Sequence, residues 1–457
     1  MSDSVQTNSP SLQSPGDVDI QELFLVTAKG NYINLDSYLI EFNIYEDLFS
    51  NTLSGDIAIS DSRNLIKELP IMGDEFIVIK FKTPDYPSEL SISKTFRVVS
   101  ITDRKTFPSI YILKFVSIET IIDSLSPIYK SFDGTISDVV DNIFNEFLRT
   151  NRTYVRQGNN ALASNEKTSL IILNETSNKV KFVSPGWGPI KCINWLCSKA
   201  MPNDGKACNF LFWETNKFFY FGSIEKIFQL GQTNDALTIG RYAYSPPGVF
   251  KTTDVNRKMF VIEDLEILNS SDALESYNLG HYASRVLSLD LINKSYDEIE
   301  YDHVKEYKNY THVSGKEAVP IYSQPFRNPL KRTIVQTRHP ELFTGVKENA
   351  NEKFPYIFGN RNSNLFELNN FRMKITIPGR TDISVGSLID IIFPDVSPRD
   401  ETDSVAHIDK MYSGKYIITG LRHKINPVRH YMILEIVKDG LQRDITKPSP
   451  TIFSDVL

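Results

Sequence analysis

Phe371-Arg-Met-Lys-Ile-Thr-Ile-Pro-Gly-Arg-Thr-Asp382 opens the stretch that decides the fold. It continues as Val385-Gly-Ser-Leu-Ile-Asp-Ile-Ile-Phe393, Lys415-Tyr-Ile-Ile-Thr-Gly-Leu421 and His430-Tyr-Met-Ile-Leu-Glu-Ile-Val437. These four runs are rich in β-branched and aromatic residues. They alternate with turn chemistry at Pro378-Gly379, Val385-Gly386, Ser413-Gly414 and Asn426-Pro427. The pattern predicts an antiparallel β-meander or small barrel.

Part of the pattern occurs earlier. After Gly73 come Phe76-Ile-Val-Ile-Lys-Phe81, Phe96-Arg-Val-Val-Ser-Ile101 and Tyr111-Ile-Leu-Lys-Phe-Val116. Phe96 to Tyr111 is a step of 15, as is Tyr416 to Tyr431. Polar turn residues fill both gaps, so the spacing predicts an internal duplication with Phe96 on Tyr416 and Tyr111 on Tyr431.

The 457 residues suffice for two to four domains, each with its own core. A hydrophobic content of 41% is ordinary for a globular protein. A net charge of -6 argues against general attraction to nucleic acid or acidic membranes. No window has the apolar length of a spanning helix, so no membrane insertion is expected. The start of the chain lacks the layout of a signal peptide. Cys192, Cys197 and Cys208 are an odd number without a CxxC, which points to core packing and a reducing compartment.

Residues 1–17 read as a disordered tail. Further strands are expected at Leu23–Val26, Tyr38–Ile44 and Ser54–Ile59, with a short helix over Asn64–Leu69. Residues 18–125 thus form a six-stranded antiparallel unit. Ile136, Val139, Val140, Ile143, Phe144, Phe147 and Leu148 then trace a helical stripe, with Thr135 or Ser137 as its N-cap. A strand at Leu170–Leu173 and a helix from Pro189 to Met201 follow. A hairpin pairs Phe210–Trp213 with Phe218–Phe221. Residues 126–235 are therefore α+β. A strand over Phe260–Leu268 precedes a partly helical Asp272–Val286. The second β-unit is split, over 236–289 and 368–445, by an insertion at 290–367. Residues 446–457 form a C-terminal tail.

No GxSxG, HExxH, GxxxxGK[ST] or GxGxxG occurs. Gly186-Trp-Gly188-Pro189 lacks the remaining glycine of a phosphate-binding loop and reads as a helix-opening turn. The histidines at 281, 303, 312, 339, 407, 423 and 430 are scattered and show no metal-ligand spacing. Asp297–Asp302 reads as a solvated charge run rather than a glycosidase pair. Arg327, Lys331, Arg332 and Arg338, with Phe326 and His339, form a basic and aromatic group, but the overall charge argues against a nucleic-acid site. No catalytic, cofactor-binding or metal-binding residue is assigned, no cofactor is expected, and the expectation is a protein that is not an enzyme.

Several stretches resemble the baseplate central hub protein of T-even-type contractile-tailed phages, whose fold is shared by the hub part of type VI secretion spike proteins. They are Ser54-Gly-Asp-Ile-Ala-Ile-Ser-Asp61 with Pro70-Ile-Met-Gly73-Asp74, and Tyr282-Ala-Ser-Arg-Val286 with Asp290. The others are Ile375-Thr-Ile-Pro-Gly379 with Gly386, and Ser413-Gly-Lys-Tyr416 with His423. The resemblance covers residues 18–445 and is weakest in the insertion. It implies a mainly β fold with α+β insertions, in which two similar antiparallel β-barrels per chain form a pseudo-six-fold ring in a homotrimer. It further implies a virion structural protein, assembled in the host cytoplasm, that adapts the six-fold tail tube to the three-fold central spike. The implied partners are a trimeric central spike protein and tail tube or tube-initiator proteins, with baseplate wedge proteins as further candidates. DNA would meet the protein only in transit through an axial channel. The rival readings are a tail-associated peptidoglycan hydrolase and a glycan-binding tail adhesin.

Overall fold

The computed structural model describes residues 11–27, 31–62, 71–106, 109–149, 156–157, 160–161, 168–204, 206–233, 238–244, 254–269, 274, 278, 280–291, 294–313, 332–338, 354–369, 371–393, 409 and 411–440. The first seven strands are β1 (Asp19–Val26), β2 (Tyr32–Asn34), β3 (Leu39–Asp47), β4 (Ser54–Ser60), β5 (Phe76–Lys82), β6 (Ile92–Thr106) and β7 (Ser109–Ser117). In the middle lie β8 (Ser131–Thr135), β9 (Arg156–Gln157), β10 (Asn160–Ala161), β11 (Leu170–Ile172), β12 (Lys179–Val183), β13 (Phe210–Glu214) and β14 (Phe219–Ser223). Then come β15 (Thr238–Tyr244), β16 (Val261–Ile262), β17 (Asp264–Asn269), β18 (Ala283–Asp290), β19 (Ser295–Asp302) and β20 (Arg332–Arg338). The last four are β21 (Phe371–Pro378), β22 (Leu388–Ile392), β23 (Gly414–Ile425) and β24 (His430–Lys438).

The fold is mainly β, and its largest sheet is curled like a half-barrel. That sheet has 14 strands in two halves. The first runs β3-β4-β7-β6-β5-β1 with β2 at its end, and the second runs β17-β21-β24-β23-β22-β15 with β16 at its end. In each half three consecutive strands make hairpins, and the strand before them returns beside the third. This is Greek-key order. The expected meander therefore holds only for β22–β24. β21 leaves it and pairs with β24, Ile375 opposite Leu434, which places Met373, Ile375 and Ile377 in the second core.

The strand registers fix which residues correspond. In both halves the central strand carries a bulge, at Val98/Ser100 and at Ile418/Gly420, facing Phe115 and Ile436 respectively. Counting from these bulges, Phe96 matches Tyr416, and both are fully buried. Tyr111, however, matches Met432 and not Tyr431. β6 has a further extra residue between Thr102 and Lys105, while the turn from Lys424 to Tyr431 is two residues longer than that from Lys105 to Ile110. The net slip is one residue. It moves Tyr431 to the outer face, as strand alternation requires, whereas Tyr111 and Met432 both point inward.

Two apolar cores lie under the halves. Phe42, Phe81, Phe96, Tyr111 and Phe115 are central to one, and Ile375, Leu388, Tyr416, Leu434 and Ile436 to the other. A third core fills the middle region. Helix Ile136–Ile143 starts at an N-cap, Thr135, whose Oγ1 accepts the Asp138 N–H, and continues as a π-helical turn over Phe144–Leu148. The whole stripe is buried except Phe147, which is partly exposed. Phe144 is fully enclosed, 5.3 Å from Phe219 and 6.4 Å from Phe212 between ring centres. The opposing helix is Pro189–Cys197, shorter than expected. β11 joins the β13–β14 hairpin in parallel.

The segment after Gly280 differs from expectation. Ala283–Asp290 is not helical but is the central strand of a three-stranded sheet, antiparallel to β19 and parallel to β20. Val286 is buried under helix Phe354–Glu367 while Arg285 and Leu287 face outward. That alternation is a strand's. The helix expected at Asn64–Leu69 lies outside the described residues.

Candidate functional site

The two halves of the large sheet meet at one seam. The first part of β23 pairs with β22, but its far part, Gly420 to Ile425, pairs antiparallel with β3, Asp47 to Phe42. On the outer face Glu41 sits between Arg422 and Lys424, at 3.2 and 3.3 Å. Arg422 Nε also donates to Asn43 Oδ1 at 2.9 Å.

The inner face of the seam sets ionisable groups among apolar ones, His423 opposite Ile44 and Glu46 opposite Leu421. His423 Nδ1 and His430 Nε2 are 2.9 Å apart, and Glu46 Oε1 is 4.0 Å from His423 Nε2. All three side chains are fully buried or nearly so. Burial lowers His423 to about 3. Burial, then the neighbouring His423, keeps His430 well below the usual imidazole range. Both rings are thus neutral, and one donates to the other. Burial raises Glu46 to about 7, against the Val385 N–H that its other oxygen accepts. The Phe81 ring of the first core packs against both imidazoles, at 6.0 and 5.6 Å between ring centres.

Glu214 of β13 anchors the first half to the middle region. It is buried, pairs with Lys94 at 2.9 Å, and accepts from Leu53 N and Ser117 Oγ at 2.9 and 2.5 Å. The second half is held at its end by Asp439, which accepts from Val313 N and from His312 Nδ1. His312 Nε2 lies 2.8 Å from the Tyr307 carbonyl. With an acceptor at each nitrogen, the ring carries two protons. Burial opposes that charge, but the Asp439 hydrogen bond and charge outweigh it and raise His312 to about 9.

Two long strand edges are open among the described residues. β6 beyond Val98 has β7 on one side and no strand on the other, and β17 pairs only with β21. Val99, Ile267 and Leu268 along them are 44%, 47% and 42% exposed. Edges of this kind invite another strand unless charge or cover prevents it.

The histidines that look scattered in sequence form two groups. His423 and His430 meet at the seam, while His281, His303 and His312 cluster with Ser363, Glu367 and Asp439. Their sequence separation hides this, since strand pairing brings them together. Ser363 Oγ is 2.9 Å from His303 Nδ1, and His303 Nε2 is 3.5 Å from Glu367. This row is closed: Ser363 Oγ lies 2.7 Å from the His281 carbonyl, and all three side chains are buried. Asp297–Asp302 lies mostly exposed on β19. Gly186 and Gly188 do open a helix, with φ at +82° for Gly186 and with Asp123 Oδ1 accepting the Ile190 N–H at 2.7 Å. The three cysteines are free and buried. Of the basic group only Arg332 and Arg338 are described, on β20; His339 and His407 lie outside the described residues. No group of three metal-binding side chains occurs among the described residues, and no described helix is long and apolar enough to cross a membrane.

No protein-family model and no curated relative matches the chain. The solved structures similar to it are phage tail and baseplate proteins and type VI spike-related proteins. A tail protein from Neisseria meningitidis MC58 is 12% identical, with 92% of this chain and 97% of that one covered at a TM-score of 0.49. The 43 kDa tail protein of prophage MuSo2 from Shewanella oneidensis is 9% identical, with 92% and 98% covered and a TM-score of 0.49. The E. coli c3393 protein, a component of the type VI secretion system, is 9% identical, with 95% and 80% covered and a TM-score of 0.35.

Proposed function

We propose that the chain is a structural hub of a contractile-tail baseplate. Three copies form a ring that adapts a six-fold tail tube to a three-fold central spike and leaves an axial channel for DNA in transit. The observation that carries this reading is the pair of sheet halves with one strand order, joined edge to edge inside the chain. A protein with a purely internal need for a sheet has no use for a second one in the same order. Two per chain let a three-fold object offer six similar surfaces to a six-fold partner.

In this reading residues 18–125 are one ring unit, and 236–289 with 368–445 are the other, except that Ala283–Asp290 goes to the insertion's three-stranded sheet. The middle domain, 126–235, and the insertion, 290–367, are left for the spike and the remaining baseplate partners. The protein is a virion component, and lysis, where a tail needs it, belongs to a partner. The test is co-expression with a trimeric spike protein of a contractile tail. A complex of three hubs and three spike chains is the expected result. A hub that stays single beside an intact spike trimer contradicts the proposal, as does lysis of purified peptidoglycan by the isolated hub.

A further inference from the structure

The internal seam is a template for a contact between chains. The residues of β3 at the seam have counterparts on the open edge of β17, and those of β23 on the open edge of β6. β4 pairs with β7 as β21 does with β24, Ile57 opposite Leu113 and Ile375 opposite Leu434. Phe42 faces Ile57, and Leu265 faces Ile375. Glu41, Asn43 and Tyr45 thus correspond to Asp264, Glu266 and Asn269, the last across a bulge in β17. On the other side Leu421, Arg422 and Lys424 correspond to Ile101, Thr102 and Lys105.

We infer that β6 of one copy pairs antiparallel with β17 of a second copy in the seam's register, Lys105 opposite Glu266 and Thr102 opposite Asn269. The inference rests on the ring reading above and supplies its joint. Inside the chain Lys424 lies opposite Asn43 and reaches Glu41 on the diagonal. Between chains Lys105 lies opposite Glu266 and reaches Asp264 in the same way. All three of these side chains are exposed in the single chain, and the charges are complementary. Val99, Ile267 and Leu268, the apolar side chains left open along the edges, lie beside the new ladder. The contact is heterologous, so it repeats from copy to copy and closes when the rotation allows.

The joint differs from its template in one respect. The imidazole row has no counterpart, because the position of His430 corresponds to Ser109 and that of His423 falls in the β6 bulge around Asp103. The contact between chains therefore lacks the buried polar layer that fixes the internal seam, and it forms and separates reversibly.

The test uses the full chain with Lys105→Cys and Glu266→Cys, oxidised at the highest soluble concentration. Directly opposed antiparallel residues have Cβ atoms about 4.5–5.5 Å apart, within reach of a disulfide after small adjustment. Dimers and trimers on a non-reducing gel, absent from either single variant and from the Lys105→Cys/Asn269→Cys pair, are expected. A charge pair supplies a second readout that needs no cysteine. Lys105→Glu weakens self-association about 2- to 5-fold, and adding Asp264→Lys restores it. A trimer by mass whose cysteines do not cross-link overturns this joint and leaves the ring reading standing. A chain that remains single at every concentration and beside its spike overturns both.

Discussion

The two halves of the large sheet share an order of strands but not the way that order is packed. In the first half Gly55 faces the Phe115 ring across β4 and β7; in the second Met373 faces Ile436 across β21 and β24. A large side chain sits on one strand in one half and on the other strand in the other. The flanks differ too. β1 runs antiparallel to β5, while β15 runs parallel to β22. What the halves keep is the bulge on the central strand and the inward alternation around it, the features that set curvature and register. Volume is free to move between strands provided the core stays filled.

That comparison breaks most directly at Gly55. A Cβ there would lie 2.3 Å from the Asn43 carbonyl oxygen and 2.4 Å from the Phe115 ring. Backbone cannot yield as a flexible side chain does, so Gly55→Ala should cost more than about 3 kcal/mol. Phe115→Ile in the same chain should recover only part of it. Met373→Ala, at the matching position, should cost about 2–5 kcal/mol by leaving a cavity instead. Urea unfolding of the three variants checks this, and a neutral Gly55→Ala would show that the halves are packed alike after all.

The next effect is comparable at its upper end and confined to the first half. Lys94→Met leaves Glu214 buried without its cation, at a cost of about 3–5 kcal/mol. The matching residue in the second half is Gly414, which holds no such anchor. Urea unfolding checks this, and a loss below about 1 kcal/mol for Lys94→Met would remove the anchor from the account.

A smaller effect belongs to the second half alone. His312 is raised from 6.5 to about 9 by Asp439, a position occupied in the first half by Ile118. A raised folded-state value means the stabilisation is complete below about pH 6.5 and is lost as pH climbs toward 9, up to about 3 kcal/mol. Unfolding midpoints at pH 6, 7.5 and 9 should fall in the wild type and fall less in His312→Asn. Parallel slopes would remove His312 from the account.

The sequence displayed what local chemistry determines. The stripe from Ile136 to Leu148, the Thr135 cap, the Pro189 helix start and the Phe210–Phe221 hairpin all lie where their patterns put them. The match of Phe96 with Tyr416 is legible because both lie two residues before a bulge. Tyr111 and Tyr431 are misleading for a physical reason: a bulge residue and a longer turn nearly cancel, so the equal step of 15 conceals a change of face. The return of β21 to β24 joins residues 63 apart, as in Arg372 with Glu435, and the seam between β3 and β23 joins residues nearly 400 apart, as in Arg422 with Glu41 and Asn43. Periodicity does not report contacts at such separation. The histidine groups, invisible as spacing, appear only once the strands are paired, as with His423 and His430 on adjacent β23 and β24.

The central claim is that two sheets in one chain stand in for two subunits of a six-membered ring. Rotational analysis of electron-microscopic end views of the assembled hub tests it most directly, together with the native mass. The expected result is three times the 52.1 kDa chain, with true three-fold symmetry and a strong six-fold component around an open centre. A single copy on the axis, or six copies with only one sheet of each facing the channel, would contradict it.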